Sequence, residues 1–375
     1  MKDLLSWCRQ RQDAMTAFLS ELVAIESPST DPAGVAALAR RIEAELSPLG
    51  LPGELVPVAG GGPILRASNG DRGVMLLGHL DTVWDPGTLA RRPIRIEDGQ
   101  LFGPGAYDMK GGIVVLLFAL KALRARGALP PVCVFLTPLE EVGCEPYRAV
   151  MEADMRTSRA VLDFEPAWPG GAVKTRRKGS ASITLSARGV AAHAGADFAR
   201  GANAILELCR RLLDVAAMTD LDRGITVNVG TVRGGTRPNV VPEHAQAEID
   251  VRFRTLADGE AARAALRALR PSDPRIRLDV ETGPFYPPLE RGPHVVAAFE
   301  AARRAAAELG LPPLEEVSTG GASEASFAAA LGLPTLDGLG ADGDGAHAEH
   351  EHVLLSSLPD RAALAAALIL RLGPP

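Results

Sequence analysis

The chain is poor in the features that would mark three large classes of protein. It has four cysteines, Cys8, Cys133, Cys144 and Cys209, and no two have the spacing of a metal knuckle or a redox pair. Such sparse usage fits a reducing compartment, and all four read as buried thiols. No stretch reaches the roughly 18 uninterrupted apolar residues of a membrane span. Met1 to Phe18 interleaves Lys2, Asp3, Arg9, Arg11 and Asp13 with apolar positions, so it lacks the apolar core of a signal peptide, and a cytoplasmic location is expected. There is no basic excess either: a net charge of -6 and an isoelectric point near 5.7 argue against a polyanion partner such as nucleic acid. The one basic cluster, Lys174, Arg176, Arg177 and Lys178, reads as a solvated strand edge or a domain junction. No internal repeat is visible, and nothing is of low complexity beyond Ala-rich helices.

The chain does have length and apolar content. At 375 residues it exceeds the roughly 250 to 300 at which a single core stops growing, so two domains are expected. A hydrophobic content of 46% supports packed cores. Leu4 to Ile25 and Gly34 to Leu49 read as covering helices. Val74 to Gly78, Val132 to Leu136 and Ala160 to Leu162 are short apolar runs of the kind found in strands buried on both faces, and Gly112 to Arg124 reads as a helix between two of them. Strand, helix, strand repeats imply a mostly parallel sheet flanked by helices. From Gly170-Gly171 the pattern changes to alternation in Ser180 to Ser186, Ile225 to Val232 and Ala245 to Arg254, with helices at Asn203 to Leu213 and Ala257 to Leu269. This is an antiparallel sheet with helices, placed as an inserted domain at 173–286. Residues 1–172 and 287–375, ending in the Ala/Leu-rich helix Leu358 to Leu372, form the discontinuous first domain, an α/β unit.

The chemistry is concentrated around Leu101 to Ile113, where Asp108 stands among Gly103, Gly105, Gly111 and Gly112. The glycines alone are open to three readings: a surface turn, a phosphate cradle with Lys110, or a backbone bent close to metal ions. A phosphate loop needs Ser or Thr after its Lys, and Gly111 stands there. Lys110 reads as a helix-start residue pointing to solvent or a nearby carboxylate. His79 and Asp81 are two apart at a strand end, a spacing that suits a ligand and the carboxylate that orients it. Glu140 and Glu141 follow a second strand and Glu165 a third. In an open parallel sheet the strands' carboxyl ends face one crevice, so these residues converge there with Asp108. Converging carboxylates repel unless they take up protons or cations. The returning segment brings a histidine-rich loop, Gly345 to His352, one of whose histidines supplies a further ligand.

The arrangement that follows is two ions sharing Asp108, with His79 and Glu165 on one and Glu141 and His347 on the other. Mixed imidazole and carboxylate ligands without thiolate suit zinc, with cobalt or manganese as alternatives. Glu140 is left over, and as a general base it would hold the attacking water and return its proton to the leaving amine.

Gly78-His79-Leu80-Asp81-Thr82-Val83, Gly103 to Gly112, Glu140-Glu141 and the run Gly189 to Gly195 together resemble the M20 metallopeptidase family in order and spacing, from about residue 20 to the C-terminus. Leu162 to Pro166, Thr319 to Glu324 and His347 to Val353 are most similar to its glutamate carboxypeptidase branch. The resemblance implies a two-zinc catalytic domain with an inserted lid and dimerisation domain, and hence a homodimer. It also implies that His193 polarises the scissile carbonyl, in many relatives from the partner chain. Asn239 and Arg252 resemble positions that contact the substrate, Arg252 through its carboxylate, and Gly320 and Gly321 would line the pocket floor. The connector Glu281 to Tyr286 lacks the Arg that glutamate-selective relatives can place there, and Phe285 and Tyr286 read either as a pocket for an apolar side chain or as core. The expected activity is hydrolysis of an amide next to a free carboxylate, releasing a C-terminal amino acid such as glutamate. The alternatives are deacylation of an N-acyl amino acid, as with acetylornithine or succinyl-diaminopimelate, and a metal-binding or regulatory protein without turnover.

Overall fold

The protein is described here by a computed structural model covering residues 2–374. Its residues cluster into two units: Met1–Arg176 with Arg291–Ser318 and Phe327–Pro375, and Arg177–Glu290 with Thr319–Ser326.

The first unit is built on a six-stranded sheet in the order Gly53–Val56, Ile64–Ser68, Val132–Thr137, Val74–His79, Ala160–Asp163, Thr335–Leu336. Val74–His79 lies at its centre and every residue of that strand is buried, as its unbroken apolar run requires between two parallel neighbours. The sheet is mixed, because Ile64–Ser68 runs antiparallel to Val132–Thr137 and Gly53–Val56 turns back against it. These two outer strands are absent from the sequence reading, since Gly60, Gly61, Gly62 and Pro63 obscure any alternation around them. The helix Gly111–Ala125 is apolar on nearly every face and almost wholly buried, packing against Ser357–Leu372. A helix of that composition belongs in a core. The N-terminal helical stretch is two helices, Lys2–Arg9 and Gln12–Ala24.

Among the cysteines, Cys8 and Cys144 are buried, Cys133 is half-buried and Cys209 is exposed, so the reading of four buried thiols fails at Cys209. That residue lies on the amphipathic helix Ala204–Ala216, whose outer face is solvated.

The second unit is a four-stranded antiparallel sheet in the order Thr226–Gly234, His244–Phe253, Gly179–Arg188, Arg277–Tyr286. Residues of Gly179–Arg188 and His244–Phe253 alternate between buried and accessible, and the buried set meets the helices Ala204–Ala216 and Leu256–Arg267. Phe285 is half-buried, stacks on Phe253 at 5.5 Å and packs against the core of this unit, and Tyr286 is buried.

Candidate metal centre

The three parallel strands deliver their acidic and imidazole groups to one edge. His79 is the last residue of its strand and lies in register with Thr137, three residues before Glu140, while Leu77 pairs with Asp163, two before Glu165. Asp108 comes from the segment entering the central helix, where its backbone departs from helical geometry (φ -112°, ψ 95°). Two glycines permit this. Gly105 has φ +73°, and a Cβ on Gly112 would stand 1.9 Å from the carbonyl oxygen of Phe164. His347 lies on the loop between the short strands Gly343–Asp344 and His352–Leu354, which pair with each other and then with Gln100–Phe102 just ahead of Asp108.

The two oxygens of Asp108 face different histidines. Oδ1 lies 3.1 Å from His79 Nε2, and Oδ2 lies 3.3 Å from His347 Nε2. His79 Nε2 is also 3.4 Å from Glu165 Oε1, and His347 Nε2 is 3.2 Å from Glu141 Oε2. Ligands at about 2.0 to 2.1 Å from a tetrahedral ion stand about 3.3 Å from one another, and these four separations are of that size. Oxygen and imidazole atoms of His79, Glu140 and Glu165, and of His79, Asp108 and Glu141, lie within 4.8 Å of one another, which gathers Glu140 into the same cluster. Glu141 Oε1 is buried without a hydrogen-bond partner, a costly state that a cation relieves. The donor set therefore fits metal.

Electrostatics agree. Burial works to lower the pKa of His79, but its contacts with Asp108, Asp81 and Glu165 outweigh burial and hold it well above the ordinary imidazole value. Hydrogen bonds to Asp108 and Glu141 lift His347 to about 10 against the effect of partial burial. Burial works to raise Asp108, yet the two histidines hold it far below the usual carboxylate range, whereas burial prevails at Glu141 and raises it. The carboxylates draw positive charge onto both rings, which is the demand a cation would meet.

Asp81 differs in one respect from its expected role. His79 Nδ1 lies 3.0 Å from the main-chain carbonyl of Asp81, while the carboxylate is 3.6 Å away. That carboxylate accepts instead from Ser29 Oγ at 2.7 Å and from the backbone N–H groups of Glu140 and Glu141 at 3.1 and 3.3 Å. It holds the double-glutamate turn, and its main chain orients the imidazole.

Lys110 also departs from expectation. It is 2% exposed, donates from Nζ to the carbonyl of Ile25 at 2.8 Å, and burial lowers its pKa to about 8. In the basic cluster, Lys174 is buried with Nζ 3.9 Å from Glu165 Oε2, and Arg177 is buried, so only part of that cluster is solvated. Sequence reasoning gave no role to Glu351 or Ser29, both buried polar groups within the site's framework. Glu351 lies in the loop already singled out for its histidines, but nothing in the pattern separates it from the exposed Glu349.

His79, Asp81, Asp108, Glu140, Glu141, Glu165 and His347 belong to the first unit, and His193, Asn239, Arg252, Gly320 and Gly321 to the second. His193 is exposed, and its Nδ1 accepts from the N–H groups of Gly195 and Ala196 at 3.1 and 3.0 Å, which assigns the ring proton to Nε2. Ala192-His193 pairs with Val240-Val241, so His193 and Asn239 lie on neighbouring turns. Arg252 is bound through Nε to both oxygens of Asp250, leaving its terminal nitrogens for other partners.

Residues 75–371 match peptidase family M20/M25/M40. Carboxypeptidase G2 of Pseudomonas sp. (strain RS-16) is 32% identical over 96% of this chain and 90% of its own. A succinyl-diaminopimelate desuccinylase of Xanthomonas oryzae pv. oryzae is 29% identical over 80% of this chain and 83% of its own. Among solved structures, the aminopeptidase PepT from Bacillus cereus superposes with a TM-score of 0.76 at 25% identity, covering 96% of this chain and 98% of that one.

Proposed function

The chain belongs to peptidase family M20/M25/M40 and is a hydrolase of its metal-dependent peptidase and amidohydrolase class, and from that premise we propose that it is a carboxypeptidase acting on an amide next to a free carboxylate. The released residue would be a C-terminal amino acid such as glutamate. The observation that carries the reading is the sharing of Asp108 between His79 and His347, each with its own glutamate, beside Glu140. His79, Asp108 and Glu165 would hold one zinc ion and Asp108, Glu141 and His347 a second. Cobalt or manganese would serve the same donors.

When bound, the ions supply Lewis acidity toward the amide carbonyl and the attacking water. Glu140 takes the proton from that water and later delivers it to the leaving amine. Asp81 keeps Glu140 in place through the backbone N–H it binds. His193 donates its Nε2 proton to the developing oxyanion. The terminal nitrogens of Arg252 hold the substrate carboxylate as a fork, with Asn239, Gly320 and Gly321 supplying further contacts. Residues 1–172 and 287–375 would form the catalytic domain and 173–286 the lid and dimerisation domain. A homodimer through the lid is supported by Leu206 and Leu213, 52% and 74% exposed on helix Ala204–Ala216, and by the outer strand Thr226–Gly234.

Deacylation of N-acyl amino acids is the second reading, favoured by the deacylase among the relatives. Glu140→Gln is expected to bind metal as wild type does and to lose about 10²- to 10⁴-fold in turnover. Near-normal hydrolysis by the metal-loaded variant would sink the mechanism. Peptides with varied C-terminal residues, assayed beside N-acetyl and N-succinyl amino acids, decide between the two substrate classes.

A further inference from the structure

Glu351 is fully buried, and its carboxylate accepts four N–H donors. Oε2 accepts from Gly105 N and Trp84 Nε1, each at 2.8 Å, and Oε1 from Tyr107 N at 3.0 Å and Asp108 N at 3.1 Å. Three of these donors are consecutive or nearly consecutive backbone groups of the segment that presents Asp108. Gly105 in left-handed geometry and Asp108 outside helical geometry prevent that segment from satisfying them internally. The main chain of Glu351 reaches both sides as well: its carbonyl accepts from Gly103 N at 3.4 Å, and its N–H donates to Ala348 O at 3.0 Å. Ala348 adjoins His347, whose own backbone is left-handed with φ +62°. Beyond the clasp, Arg92 stacks over Trp84 at 4.3 Å and donates to Glu349 O at 2.6 Å, closing the His347 loop from outside.

We infer that Glu351 is a positioning residue that sets the affinity for metal, by fixing the backbone of Asp108 and the loop of His347 relative to one another. The inference rests on Asp108 and His347 being ligands. A coordination sphere tolerates displacements of only about 0.2 Å, and both ions depend on where Asp108 points. A single carboxylate bonded to the Asp108 main chain, four residues after His347, fixes that direction. Glutamine in its place keeps one oxygen acceptor and turns an N–H toward the other pair of donors, so it removes half the clasp while conserving volume.

The test uses the full chain stripped of metal by chelation, as wild type, Glu351→Gln, Glu351→Ala and Asp108→Ala. Cobalt and zinc are titrated by calorimetry, bound metal per chain is counted by mass spectrometry, the visible band of bound cobalt is recorded, and thermal unfolding of the stripped proteins is followed. Glu351→Gln is expected to weaken metal binding by about 10- to 100-fold and to alter the cobalt band. Glu351→Ala should weaken it further, and both should remain folded at the temperature of titration. Wild-type affinity and an unchanged cobalt band in Glu351→Gln would overturn the inference, even with a lowered unfolding temperature. Failure of both variants to fold would overturn it too, because Glu351 would then serve the fold alone. Asp108→Ala separates the two levels: if it keeps wild-type affinity the ligand reading itself is wrong, and if it loses metal while Glu351→Gln does not, only the positioning role is.

Discussion

Gly112→Ala adds one methyl group to the metal centre's support without touching a charge. Gly112 lies in the first turn of the helix Gly111–Ala125, and the new Cβ would meet Phe164 O at 1.9 Å and Met109 Cε at 3.0 Å. The methionine can yield, but the carbonyl cannot, since Phe164 N is bonded to Leu77 O at 2.9 Å and a Cβ at Gly340 would meet the same oxygen at 2.4 Å. Even a 3.0 Å contact, the lower limit of what real Cβ atoms show, requires the helix start and the strand end to part by about 1 Å. Asp108 precedes one and Glu165 follows the other, so the shift falls on the 3.4 Å separation of Glu165 from His79 and on the approach of Asp108 to the same ring. Metal affinity should drop by about 10- to 100-fold, with overpacking removing a further ~1–3 kcal/mol of stability. Calorimetric titration with zinc reads the first effect and denaturant unfolding of chelated protein the second. Gly230→Ala serves as the control, because its Cβ would meet only ordinary contacts at 3.6 and 3.8 Å. Wild-type zinc affinity in Gly112→Ala would refute the idea that this glycine keeps the two ligand segments in register.

The pH dependence of metal uptake has a definite sign. With His347 lifted to about 10 and His79 also raised, metal must displace protons at neutral pH, so affinity should rise up to about tenfold per pH unit for each displaced proton. Calorimetry in buffers of different ionisation enthalpy measures this, and no proton release at pH 7 would contradict it. In the chelated protein the contribution of His347 to stability runs the opposite way, complete below its ordinary 6.5 and lost as pH rises through about 10, which pH-dependent thermal unfolding would follow. Leu213→Asp, placing charge on an apolar residue that is 74% exposed, should convert dimers to monomers in light scattering if helix Ala204–Ala216 forms the subunit contact, and an unchanged mass would discard that face.

The cluster of carboxylates and histidine was legible because parallel strands end together. His79, Glu140-Glu141 and Glu165 each follow a buried apolar run, and runs of that kind announce both the sheet and its carboxyl edge. Asp108 was legible through its glycines, two of which the structure requires for geometric reasons. The loop carrying His347 was legible only through its histidines, since the strands that present it, Gly343–Asp344 and His352–Leu354, are two and three residues long and carry no periodicity. The same brevity hid the four-stranded ribbon to which they belong. Asp81 shows a different limit: the spacing placed it beside His79, but whether carbonyl or carboxylate faces the ring depends on Ser29 and the 140–141 turn, which are remote in sequence. Glu351 was hidden because burial of one glutamate among several exposed neighbours follows from the arrangement of distant segments.

The clasp of Glu351 on Tyr107 joins residues 244 positions apart, and its bond to Trp84 spans 267. Contacts so distant along the chain form late, after the entropy of closing the intervening loop has been met. During synthesis the strands bearing His79, Glu141 and Glu165 can therefore fold while the Asp108 segment still lacks its acceptor and His347 has not left the ribosome. A metal held by Asp108 and His347 would therefore be taken up only once Glu351 has joined the fold, as a late occupant rather than a seed for it.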